Sequence, residues 1–172
     1  MNITLLQMKN RYLVGGPITP ILISELMTLG NDDAGAGAVS IFIGRVRDDE
    51  TDGKRVTAIE YSAYEEMAVK EAEEVITTVK SAFSDVRSVI IVHSLGVVKA
   101  GEASLFIMVT SGHRDHATRA CRHALEMIKE RLPVWKKELY CGRAPSGVFP
   151  EMPFSPRLPP EQHDMVIFLP EP

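Results

Sequence analysis

SGHRDHATRACRHALEMIKERLPVWKKE, residues 111 to 138, is the stretch from which the architecture of this chain follows. Its apolar residues recur at steps of three and four, which predicts an amphipathic helix; they are Ala117, Ala120, Cys121, Ala124, Leu125, Ile128 and Leu132. Pro133 ends this helix because proline cannot continue the helical hydrogen bonds and disfavours helical geometry at Leu132. The next residues, Val134 to Glu138, are therefore predicted to form a strand directly after the helix.

The same stretch concentrates lysine, arginine and histidine side chains, although the formal net charge of the whole chain is −4. A net negative charge argues against general affinity for nucleic acid, whereas a local basic cluster can hold a small anionic ligand such as a phosphate or a carboxylate. The length of 172 residues, with 45% hydrophobic and 24% charged residues, indicates one ordinary globular domain or one domain with an extended tail.

The cysteine content and the N-terminal residues indicate the cellular compartment of the protein. Cys121 and Cys141 are the two cysteines, and they form no close pair typical of a zinc knuckle or a redox motif. We expect a reducing, cytoplasmic location. Residues 1 to 16 lack the continuous apolar core of a signal peptide, and no segment has the length of a membrane span. A weak amphipathic targeting segment stays open as an alternative.

The rest of the chain alternates strand patterns with helix patterns. Four segments have the alternation or apolar run typical of strands: Ala38 to Val46, Val56 to Tyr64, Ser88 to His93 with a short segment at Leu95 to Val98, and Ala103 to Thr110. Gly44 suggests a bulge or a close backbone approach in the first of them. Two further helices are predicted, a short one beginning at Pro20 after Thr19 and ending before Gly30, and a long one from Glu65 to Phe83.

This order of elements predicts an α+β fold with a mixed, mostly antiparallel sheet and two main helices. We divide the chain into an N-terminal segment with a short helix at 1 to 34, a central domain at 35 to 140, and a proline-rich arm or tail without a core of its own at 141 to 172.

Lys129 has an unusual place on the main helix. It points only about 40° away from Leu125, at the margin of the apolar face. One interpretation is a side chain whose stem covers apolar surface while the ammonium group stays in water. The other is a lysine partly withdrawn from water beside other cations, whose amine could act as a base or nucleophile. For Lys136 and Lys137, the simplest interpretation is an edge strand that uses lysines against aggregation.

Four ordered blocks of sequence resemble one known family, the large, catalytic subunit of molybdopterin synthase. The blocks are GAVSIFIGRVR at 37 to 47, IEYSAYEEM at 59 to 67, TSGHR at 110 to 114 and IKERLPVWKKE at 128 to 138. They keep the order and compatible spacing of the family over roughly residues 35 to 140, which is more specific than any single motif.

The resemblance implies an α/β hammerhead fold and a dimer of large subunits, each holding one small ubiquitin-like sulfur carrier, so that the assembly is a heterotetramer. It also implies a sulfur transferase that converts cyclic pyranopterin monophosphate to molybdopterin by adding the two sulfurs of the dithiolene. The sulfur arrives as a thiocarboxylate on the C-terminal Gly-Gly of the carrier. No cofactor is implied for this subunit.

The resemblance also implies roles for residues at matching motif positions. Lys129 and Lys136 correspond to the catalytic lysines of the family. The residues that correspond to, or adjoin, the substrate site are Arg45, Val46, Arg47, His113, Arg114, Lys137 and Glu138. We hypothesise that Lys129 deprotonates or nucleophilically engages the pterin or the carrier carbonyl, while Lys136 stabilises developing negative charge. The reverse assignment stays open, and Arg47 or His113 could instead be ordinary surface residues.

Two features depart from the family pattern. The family commonly has His-Arg-x-Gly at a strand end, whereas this chain has His93-Ser94-Leu95-Gly96. The segment after Tyr140 does not align convincingly, which affects any role of that segment in carrier docking. His113, His116 and His123 could suggest a metal site, but they lack a convincing ligand set, and we expect no metal. The rival functions are a non-catalytic anion-binding or assembly module and an α+β interaction domain.

Overall fold

The structure, a computed structural model, describes residues 9–29, 33–51 and 53–142. The helices in these ranges are α1 (Pro20–Thr28), α2 (Glu65–Ala82) and α3 (Arg114–Arg131). The strands are β1 (Leu13–Gly15), β2 (Ala38–Arg45), β3 (Glu50–Thr51), β4 (Lys54–Ala63), β5 (Val86–Lys99), β6 (Ala103–Ser111) and β7 (Val134–Gly142).

The strands form one sheet in the order β2-β6-β5-β4-β3, with β1 beside β5 and β7 beside β4. β1 runs parallel to β5, whereas the other pairings between these strands are antiparallel. The α+β class with a mixed, mostly antiparallel sheet and two long helices, predicted from the sequence, is therefore confirmed. β1 was not predicted, because three residues are too few to show a period.

β5 connects the two halves of the sheet. It pairs with β6 through Val86–His93 and with β4 through Gly96–Lys99. The change of partner occurs at Gly96, whose φ of 79° lies in the left-handed region that favours glycine. The sequence predicts two separate segments here, and that prediction is wrong. A glycine reads as a break in a sequence pattern, but here it bends one continuous strand.

The core lies on both faces of β5 and β6. On one face, Val89 and Ile91 pack with residues of α2 and α3, including the fully buried Ala120 and Ala124. On the other face, Val92 packs with residues of α1 and β6. Successive strand residues point to opposite faces, so both faces of this central strand are apolar and covered.

α1 and α3 begin and end where the sequence predicts. Thr19 caps α1, since its Oγ1 accepts a hydrogen bond of 3.2 Å from the Leu22 backbone N–H, and Pro20 occupies the first turn. α3 ends at Arg131, and Leu132 already has extended geometry before Pro133. Gly30 lies outside the described residues.

β7 starts at Val134 as predicted but continues to Gly142, pairing with β4 along its whole length. The sequence could not show this extension because it depends on the neighbouring strand. Residues 143–172, which make up most of the predicted proline-rich arm, lie outside the described residues. Between residues 9 and 142, in the part of the chain that the structure describes, no helix has the length and apolar character needed to cross a membrane.

Candidate active site

A cavity of about 870 Å³ lies where Pro133 turns the chain from α3 into β7. Its walls come from the end of β2, the last turn of α3 and the first half of β7, and its floor comes from β4, β5 and β6. Charged side chains from three separate elements line it: Arg45, Arg47, Asp49, Lys129, Glu130, Arg131, Lys136 and Glu138. Five of the nine residues predicted for the site therefore meet at one cavity: Lys129, Lys136, Arg45, Arg47 and Glu138.

The two predicted catalytic lysines reach the cavity from different elements. Lys129 comes from the last turn of α3 and is exposed to solvent, so it is not the withdrawn lysine that one interpretation of the sequence requires. Lys136 comes from β7, and its side chain is 29% exposed with Nζ 3.7 Å from Glu138 Oε1. The proline break between helix and strand is what brings these two ammonium groups to one space.

Lys137 does not join them. Neighbouring strand residues point to opposite faces, and the Lys137 side chain is 75% exposed with Nζ 3.9 Å from Glu60 Oε2 on β4. Lys136 and Glu138, two residues apart, share the cavity face. Strand geometry thus directs Lys137 away from this cavity, and its role as a substrate contact stays a prediction.

Two arginines leave β2 around a buried valine. The Arg45 guanidinium donates from Nε to the Gly101 carbonyl at 2.7 Å, and Arg47 Nη2 lies 2.9 Å from Asp49 Oδ2. Val46 between them is 3% exposed and packs with Val56, Ile59 and Val98. The Val46 side chain belongs to the core and anchors the arginine-bearing segment, and the place of Val46 in a substrate site stays a prediction.

The floor of the cavity contains polar groups without charge. The Tyr61 hydroxyl lies 3.3 Å from Ser104 Oγ, and the Tyr61 ring contacts the His93 ring edge-on at 5.1 Å between centroids. Burial raises the pKa of the Tyr61 hydroxyl and lowers the pKa of the His93 imidazole, so both groups are neutral near pH 7. The cavity thus combines a cationic rim with a neutral polar floor.

None of the three floor residues was singled out from the sequence. Tyr61 stands in the second of the quoted blocks, and His93 stands at a strand end beside the departure at Ser94. An imidazole in an otherwise apolar strand was the available signal, because a buried titratable group at a cavity is a functional candidate. Recognising Ser104 required the pairing of β5 with β6, which the sequence does not contain.

His113 and Arg114 lie at the opposite end of α3. At about 1.5 Å of rise per residue, His113 and Lys129 are about 24 Å apart along the helix. Both His113 and Arg114 are exposed, and neither lines the cavity of the same chain. The structure therefore does not bring these two predicted residues together with the lysines within one copy of the chain.

Asp85 holds the start of α3. Its Oδ2 accepts hydrogen bonds of 3.0 Å from the backbone N–H and from Nδ1 of His113, and its Oδ1 binds Nδ1 of His116. Partial burial opposes ionisation of this carboxyl group, but the hydrogen bonds from His113, His116 and Ser111 outweigh it and hold the pKa of Asp85 far below its ordinary value.

His123, the third histidine of the hypothetical metal set, packs instead against the Phe83 ring. Across residues 9–29, 33–51 and 53–142, no three histidine, cysteine or acidic side chains are grouped in a way that could hold a metal ion.

Known proteins share sequence and fold with this chain. Residues 18–131 match the family model described as MoaE protein. The molybdopterin synthase catalytic subunit of Drosophila willistoni is 41% identical over 128 residues, which are 74% of this chain and 34% of that protein. The protein of the same name from Dictyostelium discoideum is 42% identical over 109 residues, 63% of this chain and 68% of that protein. The chain thus spans about a third of the length of the fly relatives.

Among solved structures, the crystal structure of molybdopterin synthase from Staphylococcus aureus superimposes with a TM-score of 0.67 and 32% sequence identity. The match covers 79% of this chain and 99% of that one.

Proposed function

Because this chain belongs to the MoaE family, we propose that it acts as the catalytic subunit of a molybdopterin synthase. In this role it transfers sulfur from the thiocarboxylated C-terminus of a small carrier subunit to cyclic pyranopterin monophosphate, forming the dithiolene of molybdopterin. The observation that carries the proposal is the meeting of Lys129, Lys136 and two arginines at one cavity. The arginines come from the end of β2 and the residues after it, distant in sequence from the α3–β7 segment that supplies both lysines.

The charge of the cavity suits this substrate. A cyclic phosphate and a carrier carboxylate are both anions, and guanidinium groups bind such oxygens with paired hydrogen bonds. Arg47 is exposed at the rim, where its pairing with Asp49 can be exchanged for a phosphate. The neutral floor under this rim is suited to the uncharged part of a heterocycle, which needs hydrogen-bonding groups without charge.

The surroundings of the two lysines support different roles. Lys136 is partly buried beside Glu138, so its ammonium group has a fixed position and can stabilise negative charge that develops on the carrier carbonyl. Lys129 is exposed at the mouth of the cavity, where an entering carrier tail arrives first. Because Lys129 is exposed in the free chain, its deprotonation or nucleophilic engagement of the pterin or the carrier carbonyl requires that the docked carrier cover it.

His113 and Arg114 fit this function only in an assembly. They lie about 24 Å from Lys129 along α3, so they can contact the same substrate only if a second copy of the chain supplies them. A symmetric dimer places the start of α3 of one copy near the cavity of the other and gives two equivalent sites. We therefore propose a homodimer, with one sulfur carrier bound at each site.

The compartment proposed for this assembly is the cytoplasm. Cys121 is buried and Cys141 is exposed, and neither forms a disulfide bond within the described residues. Cysteines outside disulfides are typical of a reducing compartment.

Reconstitution tests the function. The protein is mixed with a thiocarboxylated carrier and cyclic pyranopterin monophosphate, and molybdopterin is quantified over time. We expect wild type to form product, and Lys136→Ala to lose about a hundredfold or more in rate, as when a transition-state charge loses its stabilising group. The rate of product formation by Lys129→Ala is expected to fall as well.

Lys137→Ala is the matched control for this experiment, because Lys137 is adjacent to Lys136 but faces Glu60 outside the cavity. It is expected to retain nearly full activity. Absence of product from folded wild type that still binds the carrier and the pterin would favour the alternative, a non-catalytic anion-binding or assembly module. Equal losses in Lys136→Ala and Lys137→Ala would contradict the role of Lys136.

A further inference from the structure

His93 occupies the floor of the cavity in a single defined tautomer. Its Nδ1 lies 2.8 Å from the Ser94 carbonyl oxygen. A carbonyl oxygen can only accept a hydrogen bond, so Nδ1 carries the proton and Nε2 of the neutral ring carries a lone pair. No hydrogen bond to Nε2 is present among the residues that the structure describes. His93 therefore lines the cavity with a ring whose Nε2 has no hydrogen-bond partner among the described residues.

The surroundings keep this ring neutral and fixed. The Tyr61 ring packs edge-on against it, and burial lowers the pKa of the imidazole despite the hydrogen bond to Ser94. His93 is only partly covered, because one side of it forms the cavity surface. A neutral imidazole with a fixed tautomer and an open lone pair is the arrangement that general base catalysis requires.

Of the three acidic residues that line the same cavity, Glu130 is exposed on the last turn of α3 and the other two are engaged. Glu138 pairs with Lys136 and accepts a hydrogen bond from the Tyr140 hydroxyl, while Asp49 pairs with Arg47. These carboxylates neutralise the cationic rim and are less suited to accept a proton than an imidazole nitrogen with a free lone pair.

We propose that His93 is the base that activates water to release the spent carrier from the sulfur it has delivered. This inference rests on the proposed function and adds a catalytic residue to it. When the thiocarboxylate sulfur has bonded to the pterin, the same sulfur still carries the acyl group of the carrier as a thioester. Release then requires water, and a water molecule attacks an acyl carbon faster when a base takes its proton.

One O–H bond of water breaks and its proton goes to His93 Nε2, while the water oxygen bonds to the acyl carbon of the carrier. The acyl C–S bond then breaks, and its electron pair stays on the sulfur as a pterin thiolate. The carrier leaves with a C-terminal carboxyl group, and the proton on Nε2 passes to the thiolate or to solvent. Lys136 is placed to stabilise the oxyanion that forms before the C–S bond breaks.

The test is a single-turnover reaction of His93→Gln with a thiocarboxylated carrier and cyclic pyranopterin monophosphate. The intact mass of the carrier is followed at each time point. We expect the carrier–pterin thioester to form at the wild-type rate and to accumulate, while release of product slows about a hundredfold or more. With His93→Ala, added imidazole is expected to restore release, since a small base can enter the space that the side chain leaves.

Ser94→Ala is the matched control. Ser94 is the neighbouring residue on β5, is 0% exposed, and its hydroxyl has no partner in the described part of the chain. It points away from the cavity, so this variant is expected to release product at the wild-type rate. A circular dichroism melt of each variant checks that the sheet is intact.

The outcomes separate the two proposals. Product release by His93→Gln at the wild-type rate would overturn the role of His93 and leave the proposed function standing. Loss of thioester formation by His93→Gln would also overturn this role, because His93 would then act in an earlier step. Absence of both thioester and product with wild type would overturn the proposed function, and the inference with it.

Discussion

Lys136 and Glu138 share one face of β7, with Lys136 Nζ 3.7 Å from Glu138 Oε1. The Tyr140 hydroxyl, on the same face, donates a hydrogen bond to the other carboxylate oxygen of Glu138. Glu138 is therefore held at both oxygens, and it in turn fixes the position of the lysine ammonium group. This contact makes Glu138 a positioning residue for Lys136.

Glu138→Ala is expected to lower kcat about tenfold, which corresponds to about 1.4 kcal/mol, with a smaller change in KM. The reason is that the Lys136 ammonium group loses the contact that fixes it over the cavity. Glu138→Gln keeps an acceptor oxygen at the same place and is expected to lose less. Steady-state formation of molybdopterin with each variant measures both effects.

Glu60→Ala provides the control for this pair. Glu60 lies 3.9 Å from Lys137 on the outer face of the same two strands, and exposed pairs of this kind contribute little. Its kcat is expected to equal that of wild type. A rise in kcat with Glu138→Ala would contradict the positioning role, because the carboxylate would then only weaken the lysine's charge.

Asp85→Asn is expected to change the acid stability of the fold. The pKa of Asp85 is lower in the folded chain than the ordinary value of about 3.9, so its contribution to stability is fully present above about pH 4. The contribution is lost as pH falls from there towards the lower folded pKa. The variant should therefore be less stable than wild type at pH 7, and the difference should shrink as pH falls below about 4.

Urea midpoints measured between neutral and strongly acidic pH check this expectation. Asp115→Asn serves as control, since Asp115 forms an exposed pair with Arg119 within the same helix at 3.2 Å. Such a pair is expected to add little to stability at any pH. A difference between wild type and Asp85→Asn that stays constant down to low pH would contradict the assignment.

Gly96→Ala tests the bend of β5. Gly96 has a φ of 79°, and a Cβ at this position meets no atom within 4 Å, so the cost of a side chain is conformational. We expect Gly96→Ala to lower the free energy of unfolding by about 1 kcal/mol, whereas Gly96→Asn loses less because asparagine tolerates left-handed geometry. Urea unfolding of the two variants measures this. Equal losses would indicate that the conformation at Gly96 is not the cause.

Gly44→Ala offers a contrast with a different cause. A Cβ there would lie 3.2 Å from Leu105 Cβ and 3.3 Å from the Phe42 ring, at the register shift between Gly44 and Arg45 that the sequence anticipates as a bulge. The expected loss of stability comes from crowding, so the additional variant Phe42→Ala, which removes the ring, should reduce it. A double-mutant cycle measures that coupling.

The sequence predicts those parts of the site that depend on local geometry. The break at Pro133 places Lys129 and Lys136 on adjoining elements. Strand alternation could also have separated Lys136 from Lys137, although both were assigned to the site from the sequence motif. The distance between His113 and Lys129 was also available from the helix prediction, because it follows from helical rise alone.

The floor of the cavity could not be predicted in this way. His93 and Ser104 meet Tyr61 only through the pairing of β5 with both β6 and β4, which depends on the bend at Gly96. Long-range strand pairing leaves no periodic signal in a single sequence.

Mixing two inactive variants tests the proposed dimer. If His113 serves the cavity of the second copy, His113→Ala and Lys129→Ala each inactivate both sites of their own homodimer. In a mixed dimer, the copy with His113→Ala keeps Lys129 in its own cavity and receives His113 from its partner. After random exchange of equal amounts of the two variants, about a quarter of all cavities are therefore intact, and we expect about a quarter of wild-type activity.

The measurement is molybdopterin formation after partial denaturation and refolding of the mixture, with each variant treated alone as the control. A double variant with both substitutions, mixed with wild type, has the same composition but places both defects in one copy. In that mixed dimer neither cavity is complete, because one lacks Lys129 and the other lacks His113. The mixture of the two single variants can exceed the summed activity of the separate variants only if His113 acts across the dimer. No recovery, with dimers confirmed by sedimentation, would show that His113 and Lys129 do not serve one site.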